Sequence, residues 1–237
     1  MRRTTLWITL GLMALGASAS ADTRATFDVR LLGLTLGQMQ LNGDERGDAY
    51  AVSSAFSTTG LGRIADASFA LTAQGRIRNG ALAPQRYDEQ INTGDRQSTA
   101  QLSYERGVPR ITGGTVLTEV EGNANALKAA DQGGTLDPLS ALYTALRDQP
   151  RADLCTVDVV VFDGKRRSRI QTSGRADIDD QVRCTGVYTR LKGFSASAMK
   201  RQTTYPFSVT YRPAGNVMQA ARISVSTNYG TADLKRR

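Results

Sequence analysis

The sequence of 237 residues has no histidine, only two cysteines, a single tryptophan and 6% aromatic residues. Without imidazole there is no Ser-His-Asp or Cys-His activation of a nucleophile, no HExxH zinc site and no histidine base acting near neutral pH. Carboxylates, lysine and tyrosine remain as acids and bases, so enzymes are narrowed in kind rather than eliminated. No apolar run reaches the ~20 residues that a membrane-spanning helix needs. Nothing repeats at the period of a solenoid or propeller, and no segment is low in complexity.

What is present begins at the N-terminus. Arg2 and Arg3 form a positive n-region, residues 6–15 (LWITLGLMAL) an apolar h-region, and Ala19-Ser20-Ala21 a small-residue cleavage site before Asp22. Residues 1–21 therefore read as a secretory signal peptide cleaved after Ala21, and 22–237 as one β-rich periplasmic domain. No cysteine follows the cleavage site to take a lipid anchor. Thr5 stands where a twin-arginine signal wants a large apolar residue, so general secretion is the expected route. In an oxidising compartment Cys155 and Cys184 are expected to form a structural disulfide, since they lack C-x-x-C redox spacing.

Charge points the same way. The formal net charge is +8, and with Arg2 and Arg3 removed 28 basic residues face 22 acidic ones. Outside the cytoplasm this surplus addresses a lipid head group, a wall polymer or an acidic partner of the envelope rather than nucleic acid, or simply keeps the chain in solution.

Period-two alternation dominates the rest of the chain. Phe27, Val29 and Leu31 share one phase, as do Phe207, Val209 and Tyr211, and Ile223, Val225, Thr227 and Tyr229. Across Gly37 the apolar phase flips between Leu34/Leu36 and Met39/Leu41, which predicts a β-bulge and a bent strand. Further strands are expected at 49–57, 67–75, 81–92, 97–106 and 109–120, joined by turns such as Asn79-Gly80 and Gly94-Asp95 in a meander of hairpins. One helix is strongly signalled: Asp137 is an N-cap, Pro138 takes the first helical position, and Leu139, Leu142, Tyr143 and Leu146 form an apolar stripe. This 137–148 helix is expected as a lid over one face or mouth of the sheet. Residues 122–134 read as a loop or hinge. Residues 157–162, almost continuously apolar, read as a strand buried on both faces, central in the sheet or under the helix. A two-residue turn at Asp163-Gly164 and a returning strand over 166–173 follow. The fold class is mainly β: a strongly curved antiparallel sheet, a half-barrel or open barrel, with one amphipathic helix packed on it.

The cysteines constrain this picture. In a flat three-strand meander ending in residues 182–191 they would stand about 9.6 Å apart, beyond the ~4.4–6.8 Å Cα separation of a disulfide. The bridge is therefore expected at strand ends, where the sheet bends or the loop around 177–181 folds back.

Few residues signal chemistry. Alternation sends Lys165, Arg167 and Arg169 to one strand face and Arg166 to the other, so the first three are candidates for contact with phosphate or another anion. Ser197-Ala-Met-Lys200 has the S-x-x-K spacing, but its partner motifs K-T-G and S-D-N are missing. Asp177, Asp179 and Asp180 lack the spacing of an EF-hand and read as turn formers. Gly60-Leu61-Gly62 has neither the dinucleotide fingerprint nor a βαβ setting and reads as a turn. No metal or cofactor is indicated.

Three segments, FDVRLLGLTLG at 27–37, FDGKRR at 162–167 and CTGVYTRLKG at 184–193, together resemble a bacterial periplasmic family known as domain of unknown function 3108. The similarity covers almost the whole mature chain and implies an envelope β protein, with no catalytic residues to carry over. The implied fold is similar to the open half-barrels of lipoprotein carriers, where a helix covers an apolar cavity. The expected function is non-catalytic binding of an apolar or acyl-chain ligand. An envelope scaffold that holds a partner protein or wall polymer is the alternative, and a carboxylate-based enzyme a second.

Overall fold

The computed structural model describes residues 20–60, 66–123, 126–228 and 230–237. The secretory segment expected over 1–21 lies almost wholly outside the described residues, as do Leu61, Gly62 and Tyr229.

The first half of the chain is a meander of seven strands: β1 (Ser20–Leu31), β2 (Leu34–Arg46), β3 (Ala49–Thr58), β4 (Ala67–Arg78), β5 (Ala81–Thr93), β6 (Gln97–Glu105) and β7 (Val108–Gly113). The second half is another: β8 (Asp158–Phe162), β9 (Arg167–Ile178), β10 (Gln181–Lys192), β11 (Thr204–Ala214), β12 (Val217–Thr227) and β13 (Gly230–Arg236). β1 pairs antiparallel with β13, with Val29 opposite Leu234, so the two meanders fuse into one 13-stranded sheet running from β7 through β1 and β13 to β8. The strand periodicity and turn chemistry of the sequence are thus realised, down to Asn79-Gly80, both left-handed, at the β4–β5 turn. The bulge expected at Gly37 falls beside it. Val29 pairs with Gly37 but Arg30 with Thr35, leaving Leu36 as the extra residue.

The core is built in rows across the strands. One runs Thr23, Gly43, Val52, Ala73, Tyr87, Leu102 and Ile111, each opposite the next. Another runs Val29, Leu234, Ile223, Val209 and Cys184. Both turn inward onto the helix α2 (Pro138–Leu146). Tyr50 of β3 and Tyr211 of β11 lie far apart in the strand order, yet both bond this helix, Tyr50 to Ser140 Oγ at 2.7 Å and Tyr211 to the Ala145 carbonyl at 2.6 Å. Only a sheet wrapped around the helix brings them there. The edges β7 and β8 do not pair with each other. Between them Gly134 donates to the Gly107 carbonyl, and Leu136 pairs with β8, donating to the Val160 carbonyl and accepting from Phe162 N, each at 2.9 Å. The result is a curved sheet that stays open, with the helix inside. Among the described residues no helix is long and apolar enough to cross a membrane.

Three local expectations are corrected. Residues 109–120 are not one strand: β7 ends at Gly113, and the short helix α1 (Thr115–Glu121) follows Gly114. Gly114 has φ +88°, and a Cβ there would fall 2.4 Å from the Thr99 carbonyl oxygen, so the chain turns at a point only glycine fits. Thr99 and Thr115 then clamp the turn, each backbone N–H donating to the other's hydroxyl. The strand at residues 157–162 is not central. β8 is an edge strand whose outer edge is covered by the backbone at Leu136, but α2 packs against it, as the other expected placement has it, and its last residues Val161 and Phe162 are buried, one on each face. The turn after it spans residues 163–166, where the Asp163 carboxylate accepts from the N–H groups of Lys165 and Arg166.

The disulfide between Cys155 and Cys184 is present, with a Cα separation of 5.2 Å. Cys184 lies near the start of β10, opposite Arg175, and is fully buried. Cys155 belongs to no strand. Its φ of +66° turns the chain away from the ladder before β8 begins, and the Thr172 hydroxyl donates to its carbonyl at 2.8 Å. The bridge therefore pins an overlying segment to the sheet instead of linking strands two spacings apart.

α2 starts as its sequence predicts. The Asp137 carboxylate is completely buried and accepts from Ser140 N at 2.8 Å and Ser140 Oγ at 2.6 Å. Burial is the main cause that raises its pKa to about 6, against the pull of the Ser140 bonds. Since the folded state holds the proton more tightly than the unfolded one, this residue favours folding most below its unfolded pKa near 4. That contribution is lost as pH rises through about 6. Stability from this group is expected to grow by about 1 kcal/mol between pH 7 and pH 5, and Asp137→Asn to remove that increment in urea melts at the two pH values. Glu89, raised by burial, acts in the same direction, so the comparison with the variant isolates Asp137. An unchanged slope in Asp137→Asn would refute the assignment.

Candidate functional site: an apolar cleft beneath the inner helix

The sheet rows and α2 do not meet everywhere. Over β9–β12 they leave a cleft of about 390 Å³, within the ~300–1,000 Å³ range of small-molecule sites. Its floor consists of facing residues: Ile170 opposite Tyr188, Tyr188 opposite Tyr205, Phe207 opposite Val225, and Val209 opposite Ile223. The Tyr188 and Tyr205 rings meet edge to face at 5.7 Å. Phe207 lies against Gly186, where a Cβ would come within 2.5 Å of its ring. The roof is the helix face made by Ala141, Leu142, Ala145 and Leu146. Two of these four roof residues carry only a methyl group, which is why helix and floor stand apart.

The roof is held firmly. Arg147 pairs with Glu45 of β2 at 3.0 Å and Asp148 with Arg236 of β13 at 3.0 Å, both pairs largely buried. Gln219 and the Thr23 hydroxyl complete the attachment, the first donating to Asp148 Oδ2 and the second accepting from Asp148 N. Removing one partner of such a buried pair would strand a charge, so this end of α2 is tied to both halves of the sheet.

The cleft is apolar apart from the hydroxyl groups of Tyr188 and Tyr205 and the guanidinium of Arg190. Burial pushes the Tyr188 hydroxyl above its ordinary pKa, so it stays protonated. No carboxylate is among the lining residues.

The sequence-predicted residues divide. Of the expected lid stripe, Leu142 and Leu146 line the cleft, whereas Leu139 and Tyr143 turn into the core and are fully buried there. Ala141 and Ala145, too small to stand out in an apolar stripe, are the missed half of the roof. The three cations expected to meet an anion do not reach the cleft. In β9 Ile170 takes the inward phase, so Arg169 points outward and holds Asp158 through both carboxylate oxygens at 2.7 and 2.6 Å. Arg167 donates to Gln132 Oε1 at 3.0 Å. Lys165 sits in the β8–β9 turn and pairs with Glu119 of α1 at 2.6 Å. Their charges hold the sheet edge to its neighbours. The cation that does line the cleft is Arg190, which continues the inward phase of Val182, Cys184, Gly186 and Tyr188 on β10. A charged residue in the apolar phase of a strand is the signal that could have found it.

The remaining motifs are structural. Asp177 lies between Arg175 and Arg151, and the hydrogen bond from Arg175, followed by that from Arg151, lowers its pKa to about 2. Ser197 and Lys200 lie on the short helix α3 (Ala196–Arg201), whose N-cap Ser195 accepts from Ala198 N.

No curated protein and no solved structure matches this chain. A family model described as a protein of unknown function, DUF3108, does match it over residues 26–235, from within β1 to within β13. With nearly the whole sheet and its inner helix inside that match, the chain belongs to the DUF3108 family.

Proposed function

We propose that this protein is a non-catalytic binding protein of the bacterial periplasm that holds an apolar or acyl chain in the cleft beneath α2. The cleft carries the reading: an apolar floor of facing strand residues, a roof set back by two alanines, and buried ion pairs that keep the roof in place. Apolar surface left open in this way is where a ligand gains most from leaving water, at ~25 cal/mol per Å² of area covered. The signal-like residues 1–21 and the disulfide support a periplasmic setting.

Dodecanol, a neutral chain, is a suitable probe. It is expected to bind one to one in calorimetry and to displace a fluorescent apolar dye. Val225→Trp should block the floor, because Val225 is only half buried and the larger ring would project into the cleft. Binding is expected to fall at least tenfold, about 1.4 kcal/mol, with little change in melting temperature. Equal binding by the variant would overturn the proposal.

A second reading, an envelope interaction protein, is favoured by a wider groove of about 750 Å³ beside edge strand β7. Ile111, Leu117, Val120 and Leu127 line it, and Arg106, Arg110 and Lys128 are also among its lining residues. Capture of one defined protein by the wild type but not by Leu117→Arg, with no chain bound beneath α2, would select that reading.

A further inference from the structure

The cleft has apolar walls and a single charged lining residue, which stands at one end. Arg190 lies near the end of β10, beside the connection that carries Phe194 and α3. Its guanidinium is 5.1 Å from the Phe194 ring centroid and 4.9 Å from that of Tyr205. The hydrogen bonds it makes among the described residues come from one nitrogen: Nη1 donates to the carbonyls of Ala198 and Gln202 at 2.9 and 3.0 Å. Nε is buried without an acceptor. Among the described residues no carboxylate lies within ion-pair distance of Arg190, whereas Arg24, Arg76, Arg147, Arg169, Arg222 and Arg236 all have one.

Arg166 lies on the same aromatic ring, 5.6 Å from the Phe194 centroid. The nearest acid to it, Asp163, is 3.8 Å away and already accepts two backbone N–H groups. Two guanidinium groups thus lie against one phenyl ring, and one of them, Arg190, lines the cleft. A guanidinium that lines an apolar cleft without a carboxylate beside it is an unfavourable arrangement, and an anionic group at that end of the cleft would offset its charge through a charge-assisted bond.

We propose that Arg190, with Arg166 beside it, receives the anionic head of the bound chain, so that the cleft selects single-chain amphiphiles with a carboxylate or phosphate head over neutral chains. This rests on the binding function proposed above and adds the class of ligand. It also moves the anion contact from Lys165, Arg167 and Arg169, which are engaged elsewhere, to Arg190, which lines the cleft, and to Arg166, which shares the Phe194 ring with it.

Calorimetry with dodecanoate, dodecyl phosphate and dodecanol at pH 8, on the wild type, Arg190→Gln and Arg190→Lys, tests it. The wild type is expected to bind at least one of the anionic chains tenfold or more tightly than dodecanol. The tighter of the two anions tells a fatty-acid head from a phospholipid-like one. Arg190→Gln should bring the affinity for the anionic chains down to that for dodecanol in the same variant, so that the preference disappears, while Arg190→Lys keeps part of it. Because Arg190 also caps α3, Ser195→Ala, which loosens that helix without removing charge, serves as control and should keep the preference. Equal wild-type affinity for charged and neutral chains, or an equal loss of both in Arg190→Gln, would overturn the head-group assignment and leave chain binding standing. Failure of all three probes to bind would overturn both.

Discussion

Replacing Cys155 and Cys184 together by alanine is expected to lower the stability of the protein by about 3–4 kcal/mol. The bridge joins residues 29 apart in sequence, and closing a loop of that length removes about this much chain entropy from the unfolded state. For a chain of this size the loss corresponds to a fall in melting temperature of roughly 7–14 °C. Two local features act in the same direction. Cys184 is fully buried in the row with Val209 and Ile223, so the variant also loses packing there. Cys155 has φ +66°, a backbone state that alanine adopts no more readily and that the bridge no longer holds. Urea unfolding of the wild type under a reductant should show the loss from the opened bridge, and the variant that loss or more, because only the variant also gives up the packing of Cys184. A loss below 1 kcal/mol in both would show that the segment before β8 is fixed without the bridge.

This segment explains why part of the fold was hidden in the sequence. The strands declare themselves by alternation, and α2 by Asp137, Pro138 and its apolar stripe, because these signals are local. The path of Cys155 depends on Thr172, whose hydroxyl reaches its carbonyl only through tertiary pairing. Residues 157–162 look central because they are apolar, yet the backbone at Leu136 covers their edge. The α1 segment has the composition of a strand because Thr115, Val116, Thr118 and Val120 are β-branched. Its fate is decided by the turn at Gly114 and the clamp between Thr99 and Thr115.

The candidate site shows the same division. Leu142 and Leu146 were visible as helix apolar positions. Which of the stripe lines a cleft and which fills the core depends on how the sheet curves around the helix, and no local pattern encodes that. The basic run at 165–169 stands out in the sequence because four of its five residues are cations. Its partners Glu119, Gln132 and Asp158 come from three other parts of the chain. Arg190 belongs to no such run, although it is the cation that lines the cleft.

The position of α2 itself is expected to depend on the contact between Tyr143 and Gly43. Tyr143 is fully buried and stacks on Tyr50 at 6.5 Å between ring centroids, so Tyr143→Ala should cost about 3–5 kcal/mol. Gly43 of β2 lies under the same ring, and a Cβ there would fall 2.3 Å from Tyr143 Cε2. Gly43→Ala therefore forces ring or helix to move, at about 1–3 kcal/mol. In the double variant the added methyl group enters the space the ring has left. The two losses should then sum to less than their separate values by at least 0.5 kcal/mol, the coupling expected of residues in direct contact. Additive losses would mean that the buried pairs of Arg147 and Asp148 fix the helix without help from the ring. The same variants bear on the cleft, because Tyr143 shares its helix with Ala141, Leu142, Ala145 and Leu146. If the ring sets the height of the roof, Gly43→Ala should change dodecanol binding although residue 43 lines no part of the cleft, and restoring space with Tyr143→Ala should reverse that change.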